Sequence, residues 1–326
     1  MATLENNVFT LNKYAERVRD GLIEPHIGWK SAWFGGGWRY PTPGSCQVER
    51  MIFASDTSVT VEKGQLPRNH RYVPGAVGNL YDCWWSGGDS DGNTAVDRVI
   101  FSSDTSVAVA KGPLSGSRSD FGPGCDNDLT DGWISGGMQG YPQVTISSTE
   151  RIIFASDTST AVVKGPLSIV RYGLAAHGNT YDGWFGGGNS GAPTYTQYST
   201  VDRIIFASDT STAVVKGPLS ATVLYSTAHG NLTDGWFASG ASMPSAPPHR
   251  STVERVIFAS DTSTAVVKGP LVVARVKASG AGNATDGWFS GGYLFTTIDR
   301  VIFASDTSTA VSRGALIANM YGHTAA

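Results

Sequence analysis

Apolar residues along this chain come in short bursts fenced by Gly, Asn, Asp, Ser and Thr. Between Leu167 and Leu219 that pattern predicts four strands. The first runs near Val170 to Ala176, and "HGNTYDG" turns it. "GWFGG" is the second, followed by the open loop "GNSGAPTYTQYS". "VDRIIFA" is the third, "SDTST" a tight turn and "AVVKGPL" the fourth. The turn residues act through their backbone: Asn and Asp accept left-handed conformations and bond to their own chain, and Gly takes positive φ freely. The third strand carries Val201, Ile204, Ile205 and Phe206, so it is expected to be covered on both faces.

The pattern then repeats. "RIIFASDTSTAVVKGPLS" at Arg151 to Ser168 returns unchanged at Arg203 to Ser220, and nearly so from Arg255 to Leu271. Its Asp-Thr pair falls at Asp56, Asp104, Asp157, Asp209, Asp261 and Asp306, at intervals of 48, 53, 52, 52 and 45. A Trp before Gly-rich sequence falls at Trp33, Trp84, Trp133, Trp184, Trp236 and Trp288. A period near fifty filled with short strands points to propeller blades rather than a helical solenoid.

The two ends of the chain complement each other. Counting back seven from each Trp reaches His26, Val77, Asp126, His177, His229 and Ala281. Aligning Leu316 with Leu167 puts Ala326 where His177 lies. "YGHTAA" followed by "HIGWKSAWFGGG" thus reads as one intact unit. The C-terminal strand is expected to complete the blade opened by the N-terminus, closing six blades without an exposed edge.

The order "W-F-G-G-G", "V-D-R-I-I-F", "S-D-T-S-T" and a last strand ending "K-G-P-L" resembles a kelch repeat over residues 26–326. Arg171 and Arg275 match the basic residue that kelch units often carry early in the first strand. Thr222 or Val223 stands there in another unit, and Val or Ala replaces the usual Trp of the fourth strand. The resemblance implies an all-β, six-bladed kelch-like β-propeller closed by a mixed N/C-terminal blade. Residues 1–25 are left as a short extension. Within them Leu11, Tyr14, Ala15, Val18 and Leu22 recur at helical spacing after Thr10, a suitable N-cap, so this segment is a candidate anchor for a partner.

Composition narrows the function. Charged residues are 16% and the net charge is −3, which offers nothing to nucleic acid or an anionic membrane surface. The N-terminus lacks the apolar core of a signal peptide, so synthesis in a cytoplasm without export through a signal peptide is expected. Cys46, Cys83 and Cys125 have no metal-ligand spacing, and a disulfide framework is not expected. No "H-E-x-x-H" or "G-x-S-x-G" appears, and the Ser-Asp-Thr turns are too short to supply a calcium site. They read instead as β-turns capped by their own side chains. His177, His229 and His26 occupy equivalent turns and read as solvated rather than as metal ligands. No catalytic set, metal or cofactor is expected.

Two faces differ in chemistry. The turns after first and third strands are almost invariant, whereas the loops after second strands diverge: "WRYPTPGSCQ", "MQGYPQVTISS", "NSGAPTYTQYS", "YLFTT". The divergent face holds Trp38, Tyr40, Tyr141, Tyr195, Tyr198, Tyr293 and Phe295 among Ser, Thr, Asn and Pro. Rings beside polar groups suit sugar faces or protein epitopes. An acid-Arg pair opens every third strand, placing Arg50, Arg98, Arg151, Arg203, Arg255 and Arg300 at equivalent sites. Neighbouring strand residues point to opposite faces. Each is therefore expected to reach an adjacent blade and fix blade spacing.

The phrase "DGWFGGG" with "V-D-R-I-I-F-A-S-D-T" also resembles kelch-type repeats in tail and fibre-like proteins of tailed phages, notably those of cyanobacteria. That resemblance implies a non-enzymatic virion protein, made in the host cytoplasm. It would anchor to other tail or fibre proteins through residues 1–25 and present the variable loops to a host glycan or protein. A cellular kelch-type interaction protein or lectin is the alternative.

Overall fold

The computed structural model describes residues 30–39, 46–88, 93–103, 105–122, 124–126, 130–140, 142–242 and 249–325. The expected N-terminal helix with Leu11, Tyr14, Val18 and Leu22 lies outside them, as do His26, Tyr40 and Tyr141.

The described residues form six four-stranded antiparallel sheets. Blade 4 is representative: Ala175–Gly178, Asp182–Gly186, Val201–Ile205 and Val214–Lys216 pair in that order. In blade 1 the order is Thr324–Ala325, Ser31–Gly35, Val48–Ile52 and Val61–Glu62. There Phe34 pairs with Ala325 and Gly35 with Thr324, so the end of the chain supplies the first strand of the blade its beginning opens. The first strands contact one another around a closed ring, from Gly75–Gly78 of blade 2 through to Thr324–Ala325 and back. The protein is a six-bladed β-propeller.

The copied phrase explains itself at the blade interfaces. Trp184 of blade 4 stacks on Phe258 of blade 5, with ring centroids 3.7 Å apart and planes at 4°. The equivalent stack recurs at all six interfaces, including Trp288 on Phe53 at 4.1 Å across the seam. A buried aromatic ring removes roughly 150–250 Å² from water, and stacking adds about 0.5–1.5 kcal/mol. The backbone fits as closely. Gly217 of "KGPL" donates its N–H to the Asp261 carbonyl at 2.6 Å. A Cβ at Gly217 would overlap the Ser263 carbonyl, so no other residue can occupy this edge. A blade edge must match its neighbour's edge, and identical blades satisfy this with one sequence.

Three expectations need correction. The first strand of blade 4 is Ala175–Gly178, not Val170 to Ala176. Residues 168–174 form the crossover, because Gly173 has φ +63° and breaks the extension. Arg171 and Arg275 therefore sit in crossovers rather than in first strands. The third strand stops at Ile205, and Phe206–Ser208 coil into a single 3-10 turn that tips Phe206 beneath Trp133 of the preceding blade. Finally, Val201, Asp202 and Ile204 are buried, but Arg203 and Ile205 are only half-buried at the blade's outer part.

Candidate functional site

Among the described residues, the Ser-Asp-Thr aspartates Asp56, Asp157, Asp209, Asp261 and Asp306 do not cap their own turns. Each of these five is a buried hub for the preceding blade. Asp261 accepts from the Trp184 indole at 3.0 Å and pairs with Arg203 at 3.2 Å and Lys216 at 3.2 Å. Arg98, Arg151, Arg255 and Arg300 reach Asp157, Asp209, Asp306 and Asp56 in the same way, at 3.4 Å each. Arg50 lies 5.5 Å over the Trp33 ring. The acid beside each Arg points the other way, into the crossover that enters its own blade. Asp202 binds the Arg171 guanidinium at 3.0 Å and the Ser168 N–H at 3.0 Å. Glu150 and Asp299 hold Arg118 and Arg275 likewise, at 2.8 and 2.6 Å. In blade 2 His70 takes that place, bridging Asp97 and the Gly87 carbonyl at 2.7 Å each. Burial lowers the pKa of all three arginines, and their carboxylate partners oppose this. These charges are spent on architecture.

His177 and His229 are not solvated turn residues. They belong to the inner strands Ala175–Gly178 and Thr227–Gly230, with rings 5.2 Å apart. Burial pushes His177 down to about 4 and His229 well below the ordinary range. Among the described residues no cluster of three or more His, Cys, Asp or Glu could hold a metal. No disulfide joins Cys46, Cys83 and Cys125.

The divergent loops and the crossovers share one face. There the crossovers meet at the axis in a ring of backbone hydrogen bonds. Asp120 N–H donates to Tyr72 O at 2.8 Å, Gly173 to Asp120 at 2.7 Å, and Tyr225 to Gly173 at 2.7 Å. Lys277 donates to Tyr225 at 3.2 Å, Gly322 to Lys277 at 2.8 Å, and Val73 to Gly322 at 3.0 Å. Every residue in this circuit has φ between +48° and +63°. Non-Gly residues rarely take that conformation. The six-membered closure holds them there.

The side chains on this ring differ from blade to blade. Asp120, 7% exposed, faces Lys277 with Oδ1 3.5 Å from the ammonium. Lys277 Nζ also lies 4.0 Å over the Tyr225 ring, which stands beside Asp120. Desolvation raises the Asp120 pKa, against the pull of Lys277 and Tyr225. Burial first, and Asp120 second, raise Tyr225 well above the ordinary phenol and raise Tyr172. The mouth is lined by Val73, Tyr225, Ser226, Lys277, Ser279 and Thr324, and its closed part has room for about one water.

Around it runs an arc of rings. Trp38 lies 5.9 Å from Tyr72 and 6.3 Å from Tyr321, Tyr321 lies 5.5 Å from Tyr293, and Tyr293 lies 6.2 Å from His249. Arg71 sits 5.9 Å over Trp38. Two of the rings expected from sequence, Trp38 and Tyr293, thus meet through Tyr321. Tyr195 is exposed, with Tyr198 and Phe295 half-buried, and they stand apart from this arc. Tyr72, Asp120, Tyr172, Tyr225, Lys277 and Tyr321 were missed because their segments read as strands. A signal was present. Counting back eleven from Trp84, Trp184, Trp236 and Trp288 reaches Val73, Gly173, Tyr225 and Lys277, four chemistries at one repeat position.

No protein-family profile matches the sequence, and no curated protein matches it. Among solved structures the fold is similar to that described as "Structure of YjhT". The TM-score is 0.55 and the identity 10%, over 68% of this chain and 72% of that one. This likeness bears on fold alone. Six closed blades, with the Asp-Thr mark in all six units, Gly-Gly in five and Gly-Pro in four, make this a kelch-like β-propeller fold.

Proposed function

We propose that the chain is a non-enzymatic structural and attachment component of a phage virion, in the tail or a tail fibre. In this reading residues 1–25 anchor it to other virion proteins, and the variable face meets a host-surface glycan or protein. One observation carries the proposal: chemistry that differs between blades is concentrated on one face, while the opposite face repeats its turns. Lys30 and Ser31, the first described residues, lie beside the Phe53–Ser55 turn of that repeated face. Anchor and recognition surface would therefore stand on opposite sides of a stiff disc. The likeness of the repeat phrase to kelch-type repeats of phage tail proteins supports the location. Mass spectrometry of purified virions tests it, together with a deletion of residues 1–25. The expected result is detection in tails and loss of the truncated chain from particles. Absence from virions, or unchanged incorporation without residues 1–25, would sink it.

A further inference from the structure

Blade 2 carries an arginine that the propeller does not use for itself. Counting back thirteen from Trp84, Trp184 and Trp288 reaches Arg71, Arg171 and Arg275. Arg171 and Arg275 are fully buried, and each binds the acid of its own third strand. Arg71 does not. His70 has taken that place against Asp97, and Arg68 reaches the same carboxylate at 3.1 Å. Arg71 is left on the variable face, its guanidinium 5.9 Å over the Trp38 ring. It makes no hydrogen bond or ion pair with any described residue. The side chain is half-buried with Nε enclosed, so the two Nη groups are the part left to solvent. Three phenols stand in the same arc. Tyr72 and Tyr293 are 36% and 47% exposed, and Tyr321 is half-buried. None of their hydroxyls bonds to a described residue. Burial first, then Tyr293 and Tyr72, raise the Tyr321 pKa, so these phenol oxygens act on one another and Tyr321 stays an O–H donor. The pairing of Trp38–Arg39 with Met320–Tyr321 fixes two of the rings across the seam.

We infer that Arg71 and this arc form a subsite for an acidic saccharide residue. The Arg71 Nη groups take its carboxylate, with Trp38 backing the guanidinium. The exposed rings of Tyr72 and Tyr293 meet its apolar face, and the three phenols bond its oxygens. The inference rests on the host-glycan reading above and names the sugar class within it. Charge decides the class. The acid that would have held Arg71, Asp97, is already bound by His70 and Arg68, so this cation has no counter-charge among the described residues. Lys277, also on this face, is neutralised by Asp120. A guanidinium takes a carboxylate through two parallel N–H bonds, which a neutral hydroxyl cannot match. Phenol hydroxyls add donors, and aromatic faces suit a sugar ring. The whole chain carries a net charge of −3. An acidic ligand therefore gains nothing from the protein at large and is drawn only by a local cation.

Saturation-transfer NMR on the full chain tests this with the methyl glycosides of glucuronate and N-acetylneuraminate. Methyl glucoside, methyl galactoside and glucosamine are the sugar comparisons, and a short glutamate peptide is the acidic one. At least one acidic sugar is expected to receive saturation. R71M should weaken its binding about tenfold or more and Y293F about threefold. Both should keep the melting temperature, because neither side chain bonds to the rest of the propeller. V215T, on the outer strand of blade 4, leaves binding intact. Binding of neutral sugars only, or acidic binding that survives both R71M and Y293F, overturns the inference. So does binding of the glutamate peptide with no acidic sugar bound, or saturation of no sugar at all. A glycan array separates the two readings. Glycan binding that is kept in R71M but lost in Y195A leaves host-glycan recognition standing and removes this subsite. An array on which no glycan binds removes both.

Discussion

The indole of Trp288 donates to the carboxylate of Asp56 at 2.9 Å, across 232 residues of sequence. The same bond joins Trp84 to Asp157, Trp133 to Asp209, Trp184 to Asp261 and Trp236 to Asp306. The seam is thus chemically an ordinary interface, and each Asp is a shared acceptor for an indole and two cations.

Asp261→Ala should be the costly change at such an interface. It leaves the Trp184 N–H, Arg203 and Lys216 without their common acceptor. A loss of about 3 kcal/mol is expected from stranding buried partners. Arg203→Met should lower stability by no more than about 1 kcal/mol, since its side chain is 25% exposed and its pairing is partly screened. Urea unfolding of both variants checks the order; an Arg203 effect equal to or larger than that of Asp261 would contradict the hub.

Gly217→Ala is expected to cost about 3 kcal/mol or more, because its Cβ would enter the Ser263 carbonyl of the next blade and two sheets would have to part. Gly140→Ala is the comparison. There a Cβ meets nothing nearer than 4.0 Å, and only the φ of +72° resists it, for about 1 kcal/mol. Thermal melting of the pair separates close approach from backbone strain.

Removing residues 324–326 deletes the first strand of blade 1 and exposes the edge of Ser31–Gly35, including the backbone that pairs with Thr324 and Ala325. An open strand edge recruits other chains. Size-exclusion chromatography with light scattering should show oligomers or aggregate where the full chain does not. A monomeric, equally stable truncation would mean that closure does not depend on this strand.

Stability should fall in acid through the inner histidines. His177 and His323 are lowered by burial to about 4 and about 3 from an ordinary 6.5, and His229 is lowered as well. Folded-state values below the unfolded one mean that the unfolded chain binds the proton first. Their contribution is complete above pH 6.5 and is lost as pH falls, down to about 4 for His177 and about 3 for His323. Each group adds a slope of up to about 1.4 kcal/mol per pH unit inside its window. His177→Gln should remove part of the slope between pH 6.5 and 4 in urea titrations, leaving the value at pH 8 nearly unchanged.

What could be read from sequence was whatever is repeated. Trp184, the Gly-Gly pair, the Asp261 turn and "KGPL" recur, so the blade, its count and the complementary ends were all legible. The repeat could not say which partner each residue takes, because the partners lie one blade away. Asp261 looked like a local cap until Trp184, Arg203 and Lys216 were seen around it. His177 looked like a solvated turn until the neighbouring inner strand covered it.

The amino-acid order by itself determined a six-bladed ring sealed by its own ends, since strand patterning and turn residues are local properties that a chain states directly. The axial mouth was decided only in three dimensions. Tyr72, Asp120, Tyr225 and Lys277 are scattered over 206 residues, and each holds a left-handed backbone that no local signal announces. They meet because six crossovers close a single hydrogen-bonded circuit at the axis.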